Sequence, residues 1–220
     1  MGELIAFTTP EKKTAEGYLA KAADKHRALV IIQEWWGLND QIKGVADRYA
    51  VAGFTALAPD LYDGRVTESP DEAAHLMDGL DWVNATEQEV RGAAQFLRRD
   101  HNKVGVMGFC MGGALTIIAG VKLSDVDAAV CFYGIPPATA ADPQQIRVPF
   151  QGHFATQDDW CTPTSVDALE AQLTESGVTY ELHRYDAQHG FFNEGRPDVY
   201  NERATQLAFE RSVTFLSKHL

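Results

Sequence analysis

The chain has 220 residues, 45% hydrophobic and 10% aromatic, enough for a substantial core within one domain spanning 1–220 without metal or disulfide support. A net charge of −12 repels phosphate backbones and anionic lipid, which argues against nucleic-acid and membrane partners. No apolar run approaches the roughly 20 residues that span a bilayer, and the segment Met1 to Lys13 lacks the apolar stretch of a secretory signal. A soluble, cytoplasmic and monomeric protein is the expectation.

Taken in chain order, apolar runs rich in β-branched residues alternate with amphipathic stretches. Ala28 to Ile32 and Phe54 to Ala58 read as strands buried on both faces, the second stopped by Pro59. Lys103 to Gly108, Ala128 to Tyr133, Val148 to Phe154 and Thr179 to Tyr185 read as four more. Helical periodicity covers Asn39 to Ala52, Ser69 or Pro70 to Leu80, Asn84 to Arg98, Met111 to Lys122, Ser165 to Ser176 and Asn201 to Leu220. Asn84 with Glu87 has the spacing of a capping box. Parallel strands need crossover helices, so strand-helix alternation predicts a three-layer α/β architecture with a mostly parallel sheet.

Cys110, Cys131 and Cys161 cannot all pair, and their spacing makes no zinc or redox signature, so at least one thiol is free. Cys110 stands in Gly108-Phe109-Cys110-Met111-Gly112-Gly113, between a buried strand and an apolar helix. This is a nucleophile elbow with sulfur in place of the commoner hydroxyl. Glycines let the chain reverse sharply, lifting the sulfur into the open at the end of the strand. The helix dipole is expected to favour thiolate there, and the Met111 amide to face a developing oxyanion.

A nucleophilic thiol needs a base and a group to orient it. His189 follows the last strand, and Asp158 and Asp159 follow the fifth, in the order nucleophile, acid, histidine. His26, His75, His101, His153, His183 and His219 read as structural or solvated. Glu34, directly after the first buried strand, is either paired, for instance with an arginine, or employed beside the thiol. The Trp35 amide is the expected second oxyanion donor.

Glu34-Trp35-Trp36-Gly37, Ala58-Pro59-Asp60-Leu61-Tyr62, the Cys110 elbow, Phe132-Tyr133-Gly134 and Gln188-His189-Gly190-Phe191 together resemble the dienelactone hydrolase family. The resemblance implies an α/β-hydrolase fold and hydrolysis of enol-lactones or related esters without cofactor or metal. It implies Cys110 as nucleophile, His189 as base and Asp158 as orienting acid, with Asp159 the alternative. It also implies that the resting Cys110 thiol hydrogen-bonds Glu34, which later takes its proton. Family members clamp a substrate carboxylate with two arginines. Arg65 is displaced by one residue from the first position, Asn193 stands at the second, and Arg196 lies three residues beyond. Loss of that clamp would turn preference towards neutral esters. Trp35, Trp36, Tyr133, Phe191 and Phe192 are candidate pocket aromatics.

The sequence therefore points to a carboxylic-ester hydrolase acting on a small lactone or ester. The rivals are a thiol-based redox or electrophile-binding module and a hydrolase of thioesters or peptides on the same scaffold.

Overall fold

The computed structural model describes residues 1–23 and 26–220. Eight strands form one sheet in the order β1-β2-β4-β3-β5-β6-β7-β8. They are β1 (Glu3–Thr8), β2 (Thr14–Ala20), β3 (Arg27–Ile32), β4 (Phe54–Pro59), β5 (Lys103–Phe109), β6 (Ala128–Phe132), β7 (Phe150–Gln157) and β8 (Tyr180–Gln188). From β4 to β8 all neighbours are parallel, whereas β2 runs antiparallel to β1 and β4. This is the mostly parallel, doubly covered sheet of an α/β-hydrolase fold.

Strand alternation explains why both faces need helices. Ala28, Val30 and Ile32 of β3 enter one core cluster, and Leu29 and Ile31 enter the other. The first cluster also takes residues of α4 (Arg91–Leu97), α5 (Met111–Lys122) and α6 (Pro163–Ser176). The second takes residues of α1 (Asp40–Val51) and α7 (Glu202–His219). α2 (Pro70–Gly79) and α3 (Trp82–Ala85) complete the connection from β4 to α4.

Three differences from the sequence reading have physical causes. The hairpin of β1 and β2 was not expected, because β1 lies at the sheet edge and buries only Phe7 fully, leaving little apolar signal. The helix expected from Asn84 starts two residues earlier: Asp81 caps it by accepting from the Asn84 amide, so the Asn84 box is not formed. Thr86 to Val90 then widen into a π-turn before α4. α6 likewise starts at Pro163, with Thr162 as its cap, ahead of Ser165.

All crossovers return the chain so that β3, β5, β6, β7 and β8 deliver their carboxyl ends to one edge of the sheet. Glu34, Cys110, Tyr133, Asp158 and His189 are one or two residues beyond those five ends. At Gly108, on the way to that edge, an added Cβ would overlap the Gly112 carbonyl and crowd the Thr116 hydroxyl. Gly108→Ala is therefore expected to lower Tm by about 5 °C or more in a thermal melt. Gly44→Ala, in α1 with open space around it, should raise Tm by about 1–3 °C.

Candidate active site

Cys110 occupies a left-handed conformation, φ 56° and ψ −119°, that L residues rarely adopt. Backbone bonds clamp it: its N–H donates to Phe132 O at 3.0 Å, and its C=O accepts from Ala114 at 3.2 Å. Helix α5 approaches the sheet so closely that a side chain at Gly112 would strike the Ile32 and Gln33 carbonyls. The turn leaves Cys110 only 7% exposed, at the wall of a cavity rather than in the open. Burial pushes its thiol up, with Glu34 adding to the rise, while a hydrogen bond with His189 and the Met111 amide pull the other way. The expected preference for thiolate is thus outweighed by desolvation.

Behind the thiol, His189 Nδ1 donates to Asp158 Oδ2 at 2.7 Å. Asp158 Oδ1 accepts from the Trp160 and Cys161 amides, both at 2.8 Å. Burial alone would raise the Asp158 carboxyl, but the imidazole and the two amides bring it below its usual range. His189 moves the opposite way: burial opposes its charge, yet Asp158 and the thiol raise it to about 10. Asp158, not the exposed Asp159, is the acid in contact with the imidazole.

Glu34 is 4% exposed and its carboxylate is pushed up by burial. Tyr133 donates to Oε1 at 3.1 Å, and Asn193 donates to Oε2 at 2.6 Å. These neutral donors take the place of the arginine partner considered above; Arg196 acts on it only at longer range. Tyr133 reaches it from a left-handed backbone, φ 37°, fixed by its N–H bond to His153 O at 2.8 Å. Among the described residues no hydrogen bond joins Glu34 to Cys110, whose side-chain partner is His189, so the resting thiol–carboxylate bond implied by the resemblance is absent here.

Glu34, Cys110 and His189 open onto a cavity of about 410 Å³, walled by Trp35, Trp36, Met77, Trp160 and Val199, with Asn193 and Arg196 also in its lining. Trp160 and Met77 come from sequence that gave no functional signal. Trp160 sets its ring edge-on to His189 at 5.2 Å. Of the expected binding residues, Trp36 lines the cavity. Tyr133 and Phe191 are fully buried, their rings 5.3 Å apart, and support the site from behind. Phe192 is core, packed on Phe109 and Phe132. Arg65 lies outside, over a separate depression beside α2, its Nε donating to Tyr62 O. Arg196 is engaged by Asp198 at 3.0 and 2.6 Å and stacks over Trp36 at 5.3 Å. Of the two expected oxyanion donors, Trp35 lines the cavity and the Met111 amide acts on the Cys110 sulfur, lowering its pKa. His153 is a core residue between Tyr185 and Gln151.

The sequence profile of the dienelactone hydrolase family matches residues 15–220. The chain belongs to this family. Its relatives include Protein usf of Aquifex pyrophilus, 33% identical over all of both chains. Carboxymethylenebutenolidase 1 of Cupriavidus pinatubonensis is 27% identical across 91% of this chain and 90% of its own. The fold is shared with a dienelactone hydrolase-like promiscuous phosphotriesterase from metagenomic libraries, TM-score 0.84, 20% identical, covering 100% of this chain and 98% of that one. Esterase 2 of Thermogutta terrifontis superposes with TM-score 0.74, 21% identity and coverage of 99% and 94%. This dienelactone hydrolase family member is accordingly a carboxylic-ester hydrolase.

Because the folded state raises His189, its pairing with Asp158 contributes stability fully present below the unfolded imidazole pKa of about 6.5. That contribution declines as pH rises through about 10. The stability margin of wild type over His189→Gln, measured by urea unfolding, should be larger at pH 6 than at pH 10.

Proposed function

We propose that the enzyme hydrolyses a small, uncharged ester or lactone through an acyl-enzyme on Cys110. The observation carrying this reading is the line from Cys110 through His189 to Asp158, closed by the 2.7 Å bond between imidazole and carboxylate. Bound substrate places its acyl carbon over the sulfur. The thiol proton passes to Nε2 of His189 in its neutral form, which gains population as pH rises towards about 10, while the sulfur attacks, and Asp158 stabilises the imidazolium that forms. The Trp35 and Met111 amides receive the oxyanion. His189 returns the proton to the leaving alkoxide, then draws a proton from water so that hydroxide attacks the thioester. Collapse of that second oxyanion expels the sulfur, which recovers its proton.

Glu34 adds a negative charge beside the thiol, which holds the resting sulfur protonated and guards it from oxidation. The buried thiol and its raised pKa favour hydrolysis over an electrophile-capturing module. Substrate charge is argued from the cavity walls: they are apolar, Arg65 lies elsewhere, and Arg196 is neutralised by Asp198.

Cys110→Ala should reduce turnover of p-nitrophenyl acetate by about three orders of magnitude or more, with the melting temperature little changed. Retained turnover would refute the mechanism. In Glu34→Gln, alkylation of Cys110 by iodoacetamide should reach half-maximal rate at lower pH than in wild type; an unmoved profile would remove Glu34 from control of the thiol.

A further inference from the structure

Cys161 has no part in the mechanism above, yet it stands against it. Its thiol is 1% exposed, and its backbone N–H already holds Asp158 Oδ1. Its sulfur, a ring nitrogen of His189 and a carboxylate oxygen of Asp158 all lie within 4.8 Å of one another. The ring nitrogen nearest the carboxylate is Nδ1, the atom bonded to Asp158 at 2.7 Å. Cys161 is thus grouped with the His189–Asp158 pair and lies outside the lining of the cavity, whereas Cys110 forms part of that lining.

We infer that Asp158, Cys161 and His189 form a binding site for a thiophilic divalent cation of the Zn²⁺ or Cd²⁺ class, occupied in place of the His189–Asp158 hydrogen bond. One nitrogen, one oxygen and one sulfur, completed by a water, is a full tetrahedral shell for zinc. Zinc bonds of about 2.0–2.3 Å set neighbouring donors roughly 3.3–3.8 Å apart, so separations now within 4.8 Å need close by about 1.5 Å or less, and the 2.7 Å imidazole–carboxylate pair must open by about 0.6 Å. The dication balances the Asp158 carboxylate and a Cys161 thiolate, leaving a neutral set in a buried place. Mg²⁺ and Ca²⁺ want six or more oxygens and find one carboxylate.

Proton bookkeeping follows from the ligands. A coordinating sulfur is a thiolate and a coordinating imidazole is neutral, so binding releases the protons these groups hold and tightens as pH rises. The imidazole coordinates through Nδ1 and keeps one proton, on Nε2. In that tautomer Nε2 can only donate and cannot take a proton from Cys110. The consequence is reversible inhibition in which the nucleophile itself is untouched. The cation site stands on its own geometry; only the inhibition rests on His189 being the base.

The test titrates metal-free protein with Cd²⁺, reading the ultraviolet thiolate-to-cadmium band alongside ester hydrolysis. Wild type should gain the band at one equivalent and lose activity, with chelator restoring it; Mg²⁺ should do neither. Cys110→Ala should keep the band, and Cd²⁺ should raise its melting temperature, an effect that chelator reverses. Cys161→Ala should lose the band at one equivalent and need at least tenfold more Cd²⁺ for half-inhibition. Should that variant not fold, the band and the Cd²⁺-dependent melting temperature of Cys110→Ala decide the matter. A band lost in Cys110→Ala, or absent from wild type, overturns the proposal. Ester turnover surviving in Cys110→Ala would instead sink the acyl-enzyme reading while leaving the cation site standing.

Discussion

The left-handed backbone at Cys110 is the constraint around which the rest is arranged. A non-glycine residue at φ 56° costs of order 1–3 kcal/mol, and it persists only where surrounding structure fixes it. Here the Phe132 carbonyl, the first turn of α5 and the close packing of Gly108 on Gly112 do so together. Relaxing the turn would swing the sulfur away from His189 and detach the Met111 amide from it. The elbow therefore couples the central sheet, through three elements, to one atom.

Burial then sets the electrostatics. Glu34, Cys110, Asp158 and His189 all sit where water is scarce, so each charge depends on its immediate partners. Asp158 has three donors and stays ionised. Glu34 has two, both neutral, and its carboxylate is raised. Two carboxylates near one imidazole and one thiol thus differ in their surroundings: Asp158 raises the imidazole it touches, and Glu34 raises the thiol. The same scarcity of water makes Cys161, a third buried group beside the His189–Asp158 pair, a ligand in waiting rather than a bystander.

Much of this was legible from residue order. The strands β3 to β7 and the helix over Met111 to Lys122 follow from apolar runs broken by glycine and proline, because both faces of those strands are covered. The β1–β2 hairpin was hidden, since an edge strand with one solvated face has no such run. Proximity was harder to read than identity. Asn193 attracted notice only for not being arginine, and nothing local pairs it with Glu34, 159 positions away. Arg65 looked like half of a clamp by its spacing, but its loop turns it towards Tyr62 and α2. Trp160 reaches the cavity because Asp158 holds its amide in a tight turn, a placement that depends on the acid's own role.

The central claim is that the acyl group is carried on sulfur at position 110, and mass spectrometry of a trapped intermediate tests it most directly. Wild type, mixed with an activated aryl ester, quenched in acid during the first turnover and digested, should retain one acyl group, borne by Cys110 in the peptide spanning the elbow, and release it with hydroxylamine. An adduct on any other residue, or none while the enzyme liberates the phenol in a burst, would contradict the account.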